Sequence, residues 1–459
     1  MIIFERILQM IVKVITSLNE LLWGDLFILE FSNGETRFGI SLLVIILIPA
    51  GIYFTCKTRF LPFRLFPEMV RVTLEKKSSN EKGSISGLQA LIIATATRVG
   101  MGNLAGVVAA ISFGGAGAVF WMWIAAFVGM ATKYAEGCLA VKFRTTDENG
   151  DIAGGPMYYI ERGLGEKFKP LAKLFAIFGV LVAFFGIGTF AQVNSIVEIT
   201  KLATDIPVEY TAVVLTVLVA AVTIGGLQSI SRAAAKIVPA MAVLYIAVTV
   251  VFLIIFREQV PSAIMQIITD AFTPTAAVGG FAGATVMLAM RNGVARGVFS
   301  NESGLGSAPI VAAAAKTKWS AEQGLVSMTG TFIDTIIICT LTGLVIVISG
   351  AWTGDLNGAA LTNEAFCQAY PVAGSLLLCV GLTLFAFTTI LGWNYYGERC
   401  INYLVGVKGI LPYRIVFIIL VACGAFLKLD VIWILADIVN GLMAIPNLVA
   451  LIGLSGVVV

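Results

Sequence analysis

The sequence predicts an all-α protein that crosses a membrane many times, and three observations support this. First, 58% of the 459 residues are hydrophobic and 12% are charged, which is about half the charged fraction of ordinary soluble domains. Second, the chain repeatedly contains apolar runs of about 20 residues, the length that a helix needs to cross a bilayer core of about 30 Å. Third, glycine, proline or charged residues separate these runs.

Eleven candidate spans follow from that length. They lie at 38–57, 84–112, 116–141, 172–200, 209–226, 235–256, 280–302, 322–349, 375–400, 411–427 and 431–458. Residues 2–23 carry polar and charged side chains at helical spacing, which favours an interfacial amphipathic helix over a span or a signal peptide. The expected units are an amphipathic segment (1–37), an extra helix with its basic loop (38–83), and two groups of five helices (84–256 and 257–459).

Lysine and arginine are concentrated in alternate loops. The segment after the first span and the segment 142–173 are both strongly basic, whereas 350–374 contains no lysine or arginine. Because basic loops tend to stay in the cytoplasm, we expect an outside N-terminus and a cytoplasmic C-terminus in the plasma (inner) membrane. The chain ends inside its last apolar run at Val459, so a native tail beyond that residue stays an open alternative.

Composition also excludes several function classes. A net charge of +3 argues against a nucleic-acid partner. The seven cysteines show no paired spacing and histidine is absent, so we expect neither a disulfide framework nor a metal cofactor. No Gly-x-Ser-x-Gly or P-loop pattern occurs, which argues against a membrane-embedded hydrolase and against direct use of ATP. We expect no catalytic residue and no organic cofactor.

Two of the spans are poor transmembrane helices. Residues 94–106 contain three glycines and Arg98, and residues 287–297 contain two glycines and two arginines. Glycine weakens a helix by about 1 kcal/mol relative to alanine, and a charge at the bilayer centre costs at least ~2.5 kcal/mol. The two spans are the first and sixth of a ten-helix unit, as in inverted repeats that bind a ligand at the membrane midplane. Close helix packing through Gly102 and Gly106 stays an alternative.

Adjacent hydroxyls in the span 375–400 supply another candidate feature. Thr388 and Thr389 lie in an otherwise apolar run. They can bond to carbonyls of their own helix, as isolated threonines usually do. If they face the carbonyls that a broken helix releases, they instead form an all-oxygen cation site.

Several motifs resemble those of the alanine/glycine:cation symporters, also called sodium:alanine symporters. They run in order from about residue 37 to the end of the chain. The motifs are 100–106 (GMGNLAG), 115–123 (GAGAVFWMW), 154–158 (GGPMY), 162–165 (RGLG), 299–307 (FSNESGLGS), 332–335 (FIDT) and 386–389 (AFTT).

This resemblance implies a LeuT-type fold. Such a fold has two inverted five-helix repeats with discontinuous first and sixth core helices, here with one extra N-terminal transmembrane helix. The resemblance also implies Na⁺- or H⁺-coupled import of alanine, glycine or close relatives, rather than a channel or an enzyme. The substrate residues that it implies are Gly100, Met101, Gly102, Asn103, Met287, Met290, Asn292 and Gly293, with Asn292 and Gly293 at the sixth-helix break. The Na⁺ ligands that it implies are Ala96, Val99, Phe385, Thr388 and Thr389.

Charged residues inside the spans complete the candidate set. Arg98, Asp334 and Glu302 are candidates for a gate or a proton site, and Arg98 is expected to pair with Asp334 or Glu198. Lys133 and Glu136 are expected to extend from a helix end toward water. No acid lies within either expected break or near Thr388, which favours Na⁺ over H⁺ as the coupling ion, with Asp334 as the exception.

Overall fold

A computed structural model describes most of the chain. The described residues are 15–24, 27–30, 37–75, 83–275, 285–354, 356, 358–427 and 429–459. Expectations for residues 1–14, for part of the first basic loop (76–82) and for the start of the sixth core span (276–284) lie outside these ranges.

Helices dominate the described residues. They are α1 (15–23), α2 (Leu42–Lys57), α3 (Leu61–Arg64), α4 (Phe66–Leu74), α5 (Gly87–Arg98), α6 (Ala105–Gly114), α7 (Gly117–Lys142), α8 (Pro156–Leu164), α9 (Lys169–Phe185), α10 (Phe190–Thr204), α11 (Val208–Thr223), α12 (Gly226–Ile255), α13 (Val260–Asp270), α14 (Val286–Asn301), α15 (Pro309–Ala312), α16 (Ser320–Thr331), α17 (Thr340–Ser349), α18 (Gly358–Ala369), α19 (Gly374–Val405), α20 (Ile410–Gly424), α21 (Leu429–Gly453) and α22 (Ser455–Val458). Short 3₁₀ turns lie at Met101–Asn103, Glu166–Phe168, Ala351–Thr353 and Val407–Gly409, and a π-helix lies at Phe332–Cys339.

Six short strands form three pairs in the described residues. They are β1 (Phe27–Glu30) with β2 (Arg37–Ile40), β3 (Ile85–Ser86) with β6 (Ala315–Lys316), and β4 (Thr145–Thr146) with β5 (Ile152–Ala153). The β3–β6 pair is parallel and the other two are antiparallel. Because β3 directly precedes α5, its pairing with β6 fixes the start of α5 against the chain that follows α15.

The prediction of a multi-spanning all-helical protein is confirmed. Seven described helical stretches are long and apolar enough to cross a membrane, with α9 and α10 counted as one stretch and α16 and α17 as another, and α5 with α6 forms a further span bent by 62°. Helices α2 and α11 are shorter apolar helices. The expected span 172–200 lies within the single stretch Glu166–Thr204, which has an irregular junction between α9 and α10, and the sequence did not predict α13 or α18 in the loops.

The division between α9 and α10 has a local cause. Gly186 and Gly188 flank the junction, and glycine lowers helix stability. A Cβ on Gly188 would lie 2.8 Å from Cβ of Trp393, so the backbone of the junction packs directly on α19.

The expected break at Asn292 and Gly293 is wrong. Helix α14 continues through both residues to Asn301. The chain leaves helical geometry at Glu302, which is left-handed (φ 56°). The following segment 303–308 is irregular and contains Gly304 (φ 87°) and Gly306 (φ 81°), conformations that glycine adopts readily. Gly293 instead allows close packing, because a Cβ there would lie 2.3 Å from the Ala118 carbonyl oxygen of α7.

Helices α16 and α17 form one rod through the π-helix at Phe332–Cys339. A π-helical turn inside an α-helix is rare and often marks a functional site. Here it carries Asp334 and Cys339, both buried, toward the junction between α5 and α6.

Candidate functional site

The junction between α5 and α6 is the centre of the candidate site. Helix α5 ends at Arg98, Val99 is its C-cap, and the 3₁₀ turn Met101–Asn103 leads into α6. The Gly100 N–H donates to Asn103 Oδ1 (3.0 Å). The predicted interruption of the first core helix is therefore present, and the side chain of Asn103 holds it locally.

Two glycines bring this junction against other helices. A Cβ on Gly100 would lie 2.5 Å from Oγ1 of Thr389 on α19. A Cβ on Gly102 would lie 3.0 Å from Cα of Ser300 and 3.2 Å from the ring of Phe299 on α14. Such distances leave no room for a side chain, so the backbone of the junction directly faces both helices.

Four of the five predicted Na⁺ ligands lie together. Oγ1 of Thr389 lies 2.9 Å from the Ala96 carbonyl oxygen and 3.0 Å from that of Phe385. Oγ1 of Thr388 lies 3.0 Å from the same Phe385 oxygen. All are buried, as is Val99, the fifth predicted ligand. Thr389 thus bonds both within its own helix and across to α5, and the cation site at the threonine pair stays a prediction.

Gln192 on α10 is a site residue that sequence reasoning missed. Its Oε1 accepts a hydrogen bond from the Met101 N–H (3.1 Å), and its Nε2 donates to the Ile187 carbonyl (2.9 Å). The side chain is buried. The available signal was a side-chain amide in an apolar span, just after the Gly186–Gly188 junction. It thus contacts the backbone of Met101, one of the predicted substrate residues.

Asp334 lies on the opposite side of the junction. Asn103 Nδ2 donates to its Oδ1 (2.8 Å), while Ser300 Oγ (2.7 Å) and Thr335 Oγ1 (2.8 Å) donate to its Oδ2. All four residues are buried. Through these hydrogen bonds the Asp334 side chain joins the junction, α14 and the π-helix.

Comparison with known proteins identifies the family. The family model described as the sodium:alanine symporter family matches residues 27–459. The chain belongs to the sodium:alanine symporter family. It is therefore a membrane carrier and not an enzyme, and it couples amino-acid transport to Na⁺.

Individual relatives agree with this assignment. The symporter is 44% identical to a sodium/alanine symporter of Methanococcus maripaludis over 98% of this chain and 96% of the relative. It is 38% identical to a probable sodium/glutamine symporter of Bacillus subtilis over 99% of this chain and 90% of the relative. Its fold resembles that of a manganese transporter of Eremococcus coleocola (TM-score 0.52, 14% identity, 82% of this chain and 81% of that chain).

The symporter does not bring the predicted α14 residues to the junction. Phe299 and Ser300 contact it, whereas Met290 and Met287 lie ten and thirteen residues earlier, about 15 and 20 Å along the helix. Asn292 Nδ2 bonds to the Leu288 carbonyl of its own helix (2.9 Å). The predicted break at Asn292 is thus corrected to the segment after Asn301, and a substrate role for these residues stays a prediction.

The expected pairing of Arg98 is also wrong. Arg98 is buried, and none of its three side-chain nitrogens has a hydrogen-bond partner among the described residues. The Asp334 carboxyl group is hydrogen-bonded to Asn103, Ser300 and Thr335 and not to Arg98. Glu198 is exposed. Glu302 is buried and accepts a hydrogen bond from Ser307 Oγ (2.5 Å).

Lys133 and Glu136 do not extend to water. Their side chains are fully buried and form an ion pair of 2.8 Å. Glu136 Oε1 also accepts hydrogen bonds from the Gly306 N–H (3.1 Å) and from Asn447 Nδ2 (2.8 Å). The pair thus connects α7 to the irregular segment after α14 and to α21.

Proposed function

We propose that this symporter imports alanine, glycine and similarly small neutral amino acids together with Na⁺. The observation that carries the proposal is the bent α5–α6 junction, whose glycines lie directly against Thr389 and Ser300. A broken helix offers free N–H groups and a positive dipole end to a carboxylate, and free carbonyl groups to a cation.

Neutral oxygen ligands support Na⁺ as the coupling ion. The Thr389 hydroxyl already lies within hydrogen-bond distance of the Ala96 and Phe385 carbonyl groups, and the Thr388 hydroxyl within that distance of the Phe385 carbonyl group. Oxygen ligands suit hard cations. In this proposal Val99 contributes a further carbonyl at the helix end, and Na⁺ accepts the lone pairs that the two hydroxyl groups turn toward it.

The crowding around the junction supports a small substrate. The Ser300 backbone and the Phe299 ring lie within 3.2 Å of where a Cβ of Gly102 would be. In the proposed binding mode the substrate carboxylate replaces Gln192 Oε1 as the acceptor for the Met101 N–H. Asn103, which closes the junction and binds Asp334, then positions these donors.

The proposed layout is of the LeuT type, with repeats at 84–256 and 257–459 and α2 as the extra helix. The N-terminus is outside and the C-terminus lies in the cytoplasm. The inner gate includes the segment 300–307 and the loop 154–165. Support for this gate is the direct contact of the two segments, since a Cβ on Gly306 would lie 2.7 Å from Cγ of Pro156.

Uptake into proteoliposomes tests the proposal. Radiolabelled alanine should accumulate under an inward Na⁺ gradient at constant pH, and not under a pH gradient in Na⁺-free buffer. Unlabelled glycine should compete, whereas leucine should not. Glutamine is also tested as a competitor, because one relative is named as a glutamine symporter. If glutamine or leucine competed as well as unlabelled alanine, the result would contradict a small pocket.

A further inference from the structure

A polar cavity of about 620 Å³ opens at one end of the molecule, separate from the α5–α6 junction. Its floor is formed by Tyr395, Glu398 and Arg399 of α19, all buried. Its walls come from the β4–β5 hairpin, the turn between α11 and α12, and the start of α20. The lysine and arginine distribution assigns this end to the cytoplasm.

The charges of the floor are already paired. Glu398 bonds to Arg399 through one oxygen (2.9 Å) and to Arg414 through the other (2.7 Å). Arg399 also bonds to Asp147 of the β4–β5 hairpin (3.1 Å). Since the carboxylates are occupied by guanidinium groups, the floor offers no free acid to a cation.

Two hydrogen-bond donors in the floor are nevertheless unpartnered. The Tyr395 hydroxyl and Nε of Arg399 are buried and have no hydrogen-bond partner among the described residues. The two side chains lie together, with the guanidinium carbon 5.5 Å from the centroid of the Tyr395 ring. A buried donor without an acceptor is unfavourable, so both groups favour a ligand that brings acceptor oxygens. A carboxylate supplies two.

We propose that this cavity is a second, weaker site for the transported amino acid on its way to the cytoplasm. The carboxylate binds the Tyr395 hydroxyl and Arg399 Nε, and the ammonium group faces Asp151 and Asn149 on the exposed rim. Tyr395 lies six residues after Thr389 on the same helix, about 9 Å along its axis. The choice of ligand rests on the proposed function, because it is the cargo released from the junction.

Equilibrium binding of radiolabelled alanine to the full-length protein in nanodiscs, at saturating Na⁺, tests this site. We expect two alanine molecules per wild-type chain. Tyr395→Phe removes only the hydroxyl group and should weaken the second site about tenfold, as expected for loss of one hydrogen bond to a charged group. Tyr403→Phe is the matched control, because its hydroxyl bonds to Glu161 on α8 (2.5 Å) and does not line the cavity.

Further binding measurements distinguish this site from the one at the junction. At a Na⁺ concentration that no longer saturates the variant, Thr388→Ala with Thr389→Ala should weaken the tight site and leave the Tyr395-dependent one. Alaninamide, which lacks the carboxylate, should not displace alanine from the cavity. One alanine per wild-type chain, unchanged by Tyr395→Phe, would overturn the second site while leaving the proposed function intact. Propionate that displaces alanine as well as alanine itself does would overturn the assignment to amino acids.

Discussion

At the scale of single residues, Thr389 is the most tightly constrained side chain of the candidate site, because it contacts two helices at once. Its hydroxyl lies between carbonyl groups of two different helices, Ala96 on α5 and Phe385 on α19. The oxygen of Thr389 also lies 2.5 Å from where a Cβ on Gly100 would be. Substitution at either position therefore alters the packing of the junction and the oxygen ligands together.

The double substitution Thr388→Ala with Thr389→Ala should raise the Na⁺ concentration for half-maximal alanine uptake by about tenfold or more, because two of the proposed oxygen ligands are removed. Alanine affinity at saturating Na⁺ should change less. Na⁺ titration of uptake in proteoliposomes measures the first effect. Thr383→Ala on the same helix is the control, since its side chain lines an apolar groove away from the junction. An unchanged Na⁺ requirement in the double variant would remove both threonines from the cation site.

At the scale of helices, glycine has two roles that the sequence does not distinguish. The glycines of 100–106 bend the chain, and the prediction of a break there is confirmed in the geometry of α5 and α6. Gly293 lies in a similar stretch but packs α14 on α7, and the break occurs at the glycines after Asn301. Whether a glycine bends its helix or packs it closely depends on which neighbouring helix approaches that glycine. That is a tertiary fact without a local signal. For Gln192 the sequence shows an amide in an apolar span, but not which backbone group that amide contacts.

The packing role of Gly293 gives a prediction at this scale. Gly293→Ala should destabilise the symporter by about 1–3 kcal/mol, because its Cβ would overlap the Ala118 carbonyl and force α7 and α14 apart. The melting temperature should fall, while the folded fraction should bind alanine with unchanged affinity. Gly381→Ala on α19 serves as the control, since no atom lies within 4 Å of the added carbon. A large loss of alanine affinity with normal stability would return Gly293 to the binding site.

At the scale of the whole molecule, composition and span length were sufficient to predict an all-helical membrane protein, because the bilayer permits few alternatives. Buried polar contacts between distant segments were not predictable. Tyr159 donates to Asn447, Asn447 donates to Glu136 and to the Gly304 carbonyl, and Glu136 pairs with Lys133. These contacts join α8, α21, α7 and the segment after α14. Nothing in the local sequence distinguishes Lys133 from a residue that reaches water.

Removal of one partner from the Lys133–Glu136 pair should affect stability more than removal of both. Lys133→Met leaves a buried carboxylate without its cation, which typically costs about 3–5 kcal/mol. Lys133→Met with Glu136→Gln removes both charges, and the amide oxygen introduced at position 136 can still accept hydrogen bonds from Gly306 and Asn447. The double variant should therefore unfold at a higher temperature than Lys133→Met alone.

Arg71→Met is the control for this prediction. It breaks an exposed ion pair with Glu68 and should leave the melting temperature unchanged. Equal melting temperatures for the single and double variants would show that Lys133 does not stabilise the Glu136 charge, and that the pair does not hold these segments together.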